Sequence, residues 1–377
     1  MAKSRLKALE EFGQSVWLDY IRRDLFASER FHSLLEDDGL KGMTSNPTIF
    51  EKAIAGSTIY DQQLHELARE GKAVGAIYEA ITQTDIRMAA DSLRPLYDSS
   101  GGQFGYVSYE VSPALSRDTA GTLSEARRFF AAIDRPNVMI KIPGTPEGIP
   151  AIEQLIAEGR NINVTLMFSM SHYNAVAEAY IRGLERAAQL GKPLGRVASV
   201  ASLFISRIDT LVDNVIDQKL AGGADSKLFE LKGRAGIANS KLIYQRFKHL
   251  FDHSRFKALS AKGAKAQRPL WASTGTKNPA YSDVMYVQEL VGADTVNTMP
   301  PATMDAFRDH GIARATLEEG VEEARATIVG LNRLGVDLES VGDQLQREGE
   351  QLFVKSFADL RAVIQQRRDA ISLKAAS

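Results

Sequence analysis

Three short runs in the middle of the chain decide its fold: Tyr106–Val111 (YVSYEV), Val138–Ile142 (VMIKI) and Asn163–Phe168 (NVTLMF). Each is short and rich in β-branched and apolar residues. The stretches between them, 122–132 and 149–158, have the periodicity of amphipathic helices. Strands that alternate with helical segments predict parallel βαβ units.

The same alternation extends in both directions along the chain. Five further runs are predicted as strands: Ser15–Asp19, Gly42–Ser45, Ser199–Phe204, Pro269–Ser273 and Thr295–Thr298. Further helical patterns cover 171–188, 205–220 and 283–291. Eight strand–helix units in one chain favour a closed (β/α)8 TIM barrel over an open doubly wound sheet, which is the alternative.

The spacing of the predicted strands is uneven. Helical patterns at 59–70 and 74–94 separate the second and third strands, and another, at 227–251, precedes the seventh. The segment 317–368 is helix-like throughout. We therefore expect one barrel domain over residues 1–377, with helical insertions and a helical C-terminal tail.

Composition excludes several classes of protein. The 46 Lys and Arg residues balance 47 Asp and Glu residues, so neither nucleic acid nor an anionic membrane is the expected partner. The chain has 0 Cys, which excludes disulfides and thiolate chemistry. The N-terminus lacks a secretory apolar stretch, and no run approaches the roughly 20 apolar residues of a membrane span. We expect a cytoplasmic protein.

Lys141 is the first residue that suggests chemistry, because it lies within the apolar run VMIKIP. A buried ammonium is costly unless it is paired or functional. A buried lysine also loses its proton more readily, and a neutral amine can attack a carbonyl carbon. The alternative is a lysine at a strand end that reaches solvent or pairs with a carboxylate.

Two carboxylates end other predicted strands, Asp19 in SVWLD and Glu110 in YVSYEV. Schiff-base chemistry needs groups that relay protons, and the carboxyl ends of barrel strands converge on one mouth. The alternatives are that Asp19 caps a following helix and that Glu110 is a structural ion pair for Lys141.

Other polar residues interrupt the strands. Thr44 and Asn46 begin TSNPTIF, and Asn163 and Thr165 share one face of NVTLMF. These side chains are candidates for binding sugar hydroxyls or a water molecule. Capping and turn formation are the alternative.

Candidate phosphate ligands lie in or just after the later strands, where barrels often bind phosphate. They are Ser202, Arg207, Ser273 and Lys277. STGTK at 273–277 is not a P-loop, and no GxGxxG sequence follows a strand, so no dinucleotide cofactor is indicated.

Metal binding is not predicted. Only His249 and His253 of the 6 histidines are spaced as a helical pair, and no HExxH motif is present. A solvated helix face explains that pair better, and no cofactor is expected.

The ordered motifs resemble those of the transaldolase family, in its longer bacterial form. The resemblance runs from WLD at 17–19 through GMTSNPTIF, VSYEVSP, VMIKIPGTPEG, NINVTLMFS, LFISRID and WASTGTKNP, which ends at Pro279. It implies a metal-free class I (Schiff-base) enzyme on a (β/α)8 barrel. Such an enzyme moves a dihydroxyacetone unit from sedoheptulose 7-phosphate or fructose 6-phosphate to an aldose phosphate in the pentose phosphate pathway.

The resemblance also implies a role for each matching residue. Lys141 would form the Schiff base, Asp19 would relay protons, and Glu110 and Thr165 would hold the catalytic water. Asn46 and Asn163 would contact the ketol hydroxyls, with Thr44 nearby, and Ser202, Arg207 and Ser273 would hold the phosphate. Shorter relatives carry an arginine shortly after the strand-seven serine, where this chain has Lys277, a point charge instead of a bidentate fork.

Alternative functions remain open at this stage. A class I aldolase that releases free products would use the same lysine, and a non-catalytic sugar-phosphate-binding barrel would need no buried amine. The tail at 317–377 is a candidate surface for a partner or for dimerisation, so a monomer and a homodimer are both compatible with the sequence.

Overall fold

The protein is described by a computed structural model that covers residues 4–223 and 226–376. Eight parallel strands close into a barrel in sequence order. They are β1 (Gln14–Leu18), β2 (Leu40–Met43), β3 (Tyr106–Glu110), β4 (Val138–Pro143), β5 (Ile162–Met167), β6 (Ser199–Phe204), β7 (Arg268–Ala272) and β8 (Thr295–Met299). The predicted (β/α)8 barrel and all eight of its strands are confirmed.

Helices surround the barrel. Those in the described residues are α1 (Glu29–Glu36), α2 (Pro47–Ala55), α3 (Asp61–Arg69), α4 (Val74–Ser99), α5 (Thr119–Ile133), α6 (Gly148–Ala157), α7 (Met170–Gln189), α8 (Ser206–Ala221), α9 (Ala235–Asp252), α10 (Ser254–Ser260), α11 (Met285–Gln288), α12 (Pro301–His310), α13 (Val321–Arg333) and α14 (Leu338–Ala376). Short 3-10 helices span Lys7–Phe12, Arg23–Leu25, Pro113–Leu115, Leu194–Arg196 and Ser226–Leu231.

Three helical predictions differ from the structure in their extent. The stretch predicted at 283–291 contains only the short α11, and the one at 227–251 begins with a 3-10 helix before α9. The tail is not continuous, because Gly335, at φ 72°, lies between α13 and α14. A left-handed glycine ends a helix without the steric cost that other residues incur there.

The predicted single domain over 1–377 stays a prediction, since residues 1–3, 224–225 and 377 lie outside the described residues. No helix in the described ranges combines the length and apolar character that a membrane span requires.

Strand register places the polar residues side by side. Glu110 of β3 lies opposite Lys141 of β4, and Lys141 lies opposite Asn163 of β5. The pairing of β5 with β6 shifts after Val164, where Leu166 adopts a left-handed φ of 58°. This irregularity ends the regular ladder at the carboxyl end of β5, beside the barrel mouth.

The long helix α14 crosses that mouth. The side-chain amide of its Gln346 donates to the carbonyl of Gly144, just after β4, at 3.1 Å. It also donates to the carbonyl of Leu166, near the end of β5, at 2.9 Å. Gly349 packs on Leu166, and a β-carbon there would approach the Leu166 side chain to 2.8 Å. The tail is therefore an integral wall of the barrel mouth.

Candidate active site

A cavity of about 550 Å³ opens at the carboxyl ends of the strands. Nine of the eleven predicted site residues line it: Asp19, Thr44, Asn46, Lys141, Thr165, Ser202, Arg207, Ser273 and Lys277. The remaining two, Glu110 and Asn163, lie behind this lining on β3 and β5. The eleven residues come from seven strands or the segments that follow them, and the barrel brings them to one place.

The centre of the site is a buried ion pair between Lys141 and Glu110. The Lys141 Nζ lies 3.1 Å from Glu110 Oε2, and the two residues are only 4% and 6% exposed. The amine also donates to the Ser45 carbonyl oxygen at 3.2 Å. Burial raises the pKa of the Glu110 carboxyl, and the charge of Lys141 opposes that rise. Neither Glu110 oxygen has a well-oriented hydrogen bond within the described residues, so the carboxylate keeps capacity to accept one.

Asp19 lines the same cavity as Lys141. The Thr44 hydroxyl donates to its carboxylate at 2.5 Å and lies 2.7 Å from the Thr298 hydroxyl. Burial raises the pKa of Asp19, while the charge of Lys141 and the Thr44 hydrogen bond lower it. The capping alternative for Asp19 does not apply, because the next helical turn begins at Arg23.

The polar residues of β5 differ in what they can offer a ligand. The Thr165 hydroxyl is buried, lines the cavity and lacks a hydrogen-bond partner among the described residues. The Asn163 amide is engaged on both sides, since it donates to Ser108 Oγ at 2.8 Å and accepts from Ser202 Oγ at 2.7 Å. A ligand would therefore reach Asn163 through this hydroxyl network or by displacing part of it.

Asn46 both caps a helix and lines the cavity. Its side-chain oxygen accepts from the Ile49 amide at 2.9 Å and caps α2. It also lines the cavity. The cap fixes the side chain at the mouth.

Positive charge gathers at one side of the cavity, on Arg207 and Lys277. Within the described residues, Arg207 makes no salt bridge or hydrogen bond, and its guanidinium lies over the Phe204 ring at 5.1 Å. Burial lowers the pKa of Arg207 and of Lys277, and for Lys277 the charges of Arg207 and Lys52 add to that effect. Such unpaired, mutually repelling cations favour an anionic ligand.

The strand-seven turn brings a serine to the same side. Ser273 has a left-handed φ of 55°, a conformation that costs energy for a residue with a β-carbon. Its hydroxyl lies 2.9 Å from that of Ser206, at the start of α8.

Several lining residues escaped the sequence analysis: Tyr20, Lys52, Thr298, Leu352 and Phe353. Tyr20 and Thr298 adjoin strand ends, and that position was an available signal. Lys52, in the last turn of α2, and Leu352 and Phe353, in α14, lie far from any strand end in the sequence. Only the tertiary fold brings these three to the mouth.

The histidine pair lies elsewhere. His249 and His253 are exposed beside a more open hollow of about 720 Å³ that contains none of the predicted site residues. Among residues 4–223 and 226–376, no three His, Cys, Asp or Glu side chains are grouped as metal ligands.

Fold and cavity together define a class: a (β/α)8-barrel protein with a buried amine, two carboxylates and an unpaired cationic side at one mouth. The Transaldolase/Fructose-6-phosphate aldolase family profile matches residues 16–364. The chain belongs to this family.

Proteins named transaldolase are similar to this chain over almost its whole length. The chain is 49% identical to Transaldolase 2 of Nostoc sp. and 47% identical to Transaldolase of Trichodesmium erythraeum, covering 96% of this chain and of each relative. It is 46% identical to Transaldolase of Thiobacillus denitrificans, covering 95% of this chain and 99% of that one.

Proposed function

We propose that this protein is a transaldolase that transfers a dihydroxyacetone unit between sugar phosphates through a Schiff base on Lys141. The observation that carries the proposal is the Lys141–Glu110 pair, buried at 3.1 Å in a cavity that also holds Asp19 and unpaired cations. Membership of the family and the names of the relatives support the same activity.

The chemistry follows from the positions of the groups. Lys141 gives a proton to the Glu110 carboxylate, its partner at 3.1 Å, and the neutral amine attacks the C2 carbonyl of a ketose phosphate. The carbinolamine then loses water to give a protonated Schiff base. Asp19 accepts the proton of the C4 hydroxyl while the C3–C4 bond breaks, so that an aldose phosphate leaves and an enamine stays on the lysine. The enamine attacks the aldehyde of the acceptor, which regains a proton, and water then releases the new ketose.

The other residues take supporting roles in the proposal. Glu110 and Thr165 hold the water that leaves and returns, since both have unused hydrogen-bonding capacity. Glu110 pairs with the amine, and Thr165 lines the same cavity. Thr44, Asn46 and Asn163 orient the ketol hydroxyls. The phosphate binds on the cationic side, to Ser202, Arg207, Ser273 and Lys277. Lys277 contributes a point charge there instead of a bidentate fork.

The family name also contains an aldolase, which would use the same lysine but release its products. An assay separates the two. Fructose 6-phosphate with erythrose 4-phosphate should give rapid transfer, whereas fructose 6-phosphate alone should release little free dihydroxyacetone. Equal rates in the two mixtures would identify an aldolase, and no turnover in either would leave only sugar-phosphate binding.

We extend the proposal to the pathway and the cellular compartment. A transaldolase of this kind would act in the pentose phosphate pathway and in carbohydrate metabolism of the cytoplasm. That the protein is either a monomer or a homodimer stays a prediction.

A further inference from the structure

The apolar side of the cavity is formed by the C-terminal helix. Phe353 of α14 is 3% exposed, and its ring centre lies 5.8 Å from Lys141 Nζ. Its neighbour Leu352 lines the outer part of the cavity and is 43% exposed. The C-terminal helix thus places an aromatic ring near the amine, in the same cavity as the cations.

Contacts on both sides of Phe353 hold this part of α14 in place. Almost one turn before Phe353, the Glu350 carboxylate accepts from Ser116 at 2.8 Å and from the guanidinium of Arg117 at 2.8 and 3.0 Å. Almost one turn after it, the Ser356 hydroxyl lies 2.8 Å from that of Thr48 on α2. With Gln346 bound to two strand-end carbonyls, these contacts anchor the helix along the mouth.

The ring suits the covalent intermediate as well as the unreacted ammonium group. A protonated Schiff base keeps a positive charge on the same nitrogen, and an aromatic face within about 6 Å attracts a cation. An apolar ring also displaces water from the space above that nitrogen, which strengthens nearby electrostatic interactions. The enamine would be lost if its carbon took a proton and water then attacked C2, because that sequence releases dihydroxyacetone and free lysine.

We infer that Phe353 is a positioning and specificity residue that covers Lys141 and suppresses release of the bound three-carbon unit, so that transfer to an acceptor prevails. The inference rests on the proposed function. It assigns a role in the reaction to the helical tail, which lies some two hundred residues from the lysine in the sequence.

The test measures how the intermediate partitions. Phe353→Ala should raise the amount of dihydroxyacetone released per product transferred by roughly tenfold, because water gains access to the intermediate. Phe353→Leu, which keeps apolar bulk and disturbs packing less, should show a smaller rise. Val354→Ala is the matched control, since Val354 is the next residue on α14, is 45% exposed and does not line the cavity.

Separate readouts distinguish the possible failures. Each variant is first checked for a wild-type circular dichroism spectrum and a cooperative melting transition. If wild type forms no borohydride-trapped adduct with fructose 6-phosphate, the proposed function is wrong. If wild type is trapped but folded Phe353→Ala and Phe353→Leu keep the wild-type partition, the inference about Phe353 is wrong. It is equally wrong if Val354→Ala changes the partition as much as they do.

Discussion

Replacing Arg207 by alanine should weaken phosphorylated donors selectively. The guanidinium is largely buried, yet in the described residues it has neither a salt bridge nor a hydrogen bond. Glu110 is not its partner, because that carboxylate pairs with Lys141 at 3.1 Å. Asp209 instead accepts from the Gly236 amide and the Tyr286 hydroxyl, each at 2.8 Å. Arg207 is thus free to bind a ligand.

The magnitude follows from the bonds that a guanidinium can make. Charge-assisted hydrogen bonds to a partly shielded phosphate contribute about 1.5–3 kcal/mol each, and the fork offers two. Lys277 and Ser273 would retain part of the binding. We expect Arg207→Ala to cost about 2–3 kcal/mol, or roughly 30- to 150-fold in kcat/KM for fructose 6-phosphate. Most of the loss should appear in KM, because the phosphate is remote from the reacting carbonyl.

The assay compares fructose 6-phosphate with fructose as donors, using wild type, Arg207→Ala and Arg207→Lys. The lysine variant keeps the charge but loses the fork, so its loss should be intermediate. Activity with fructose should change little in either variant. An equal loss with both donors would refute the reasoning, since it would make Arg207 a structural residue.

Three further predictions concern proton transfer, stability and metals. Thr44→Val removes a hydrogen bond that lowers the pKa of Asp19, so this pKa should rise and the acidic limb of the kcat–pH profile should move to higher pH. If the acidic limb does not move, a group other than Asp19 controls it. Burial raises the pKa of Asp209 to about 7, so the folded protein binds this proton more tightly than the unfolded chain and the unfolding free energy should fall between about pH 4 and pH 7. Asp209→Asn should reduce this fall in urea titrations, and an unchanged pH dependence would contradict the shift. Because an amine that forms a Schiff base needs no Lewis acid, activity should survive dialysis against a strong chelator; a loss that Zn²⁺ or Mg²⁺ restores would indicate metal-dependent aldol chemistry.

The barrel was predictable because its signal is local. Each strand is a short apolar run between turn or helix signals, and eight such runs leave few alternatives. The break at Gly335 was less evident, since the apolar periodicity continues on both sides of it. Likewise, the apolar residues at 283–291 suggested a helix, but most of this stretch packs as an irregular connection before β8.

The site was predictable to the extent that its residues end strands. Lys141, Glu110 and Asp19 were identifiable because a charged side chain is unusual at the end of a buried strand. Lys52 and Phe353 carry no such signal, since a lysine late in a helix and an aromatic residue in an apolar stripe are ordinary features. Their place at the mouth depends on how α2 and α14 pack, which one sequence does not reveal.

The most direct test of the central claim is to trap the intermediate. Wild-type protein is treated with borohydride in the presence of fructose 6-phosphate, digested and analysed by mass spectrometry. We predict a reduced three-carbon adduct on Lys141, and its absence from a folded Lys141→Ala variant that has also lost transfer activity. An adduct on another lysine, or transfer activity that survives in Lys141→Ala, would contradict the assignment of Lys141 as the Schiff-base residue.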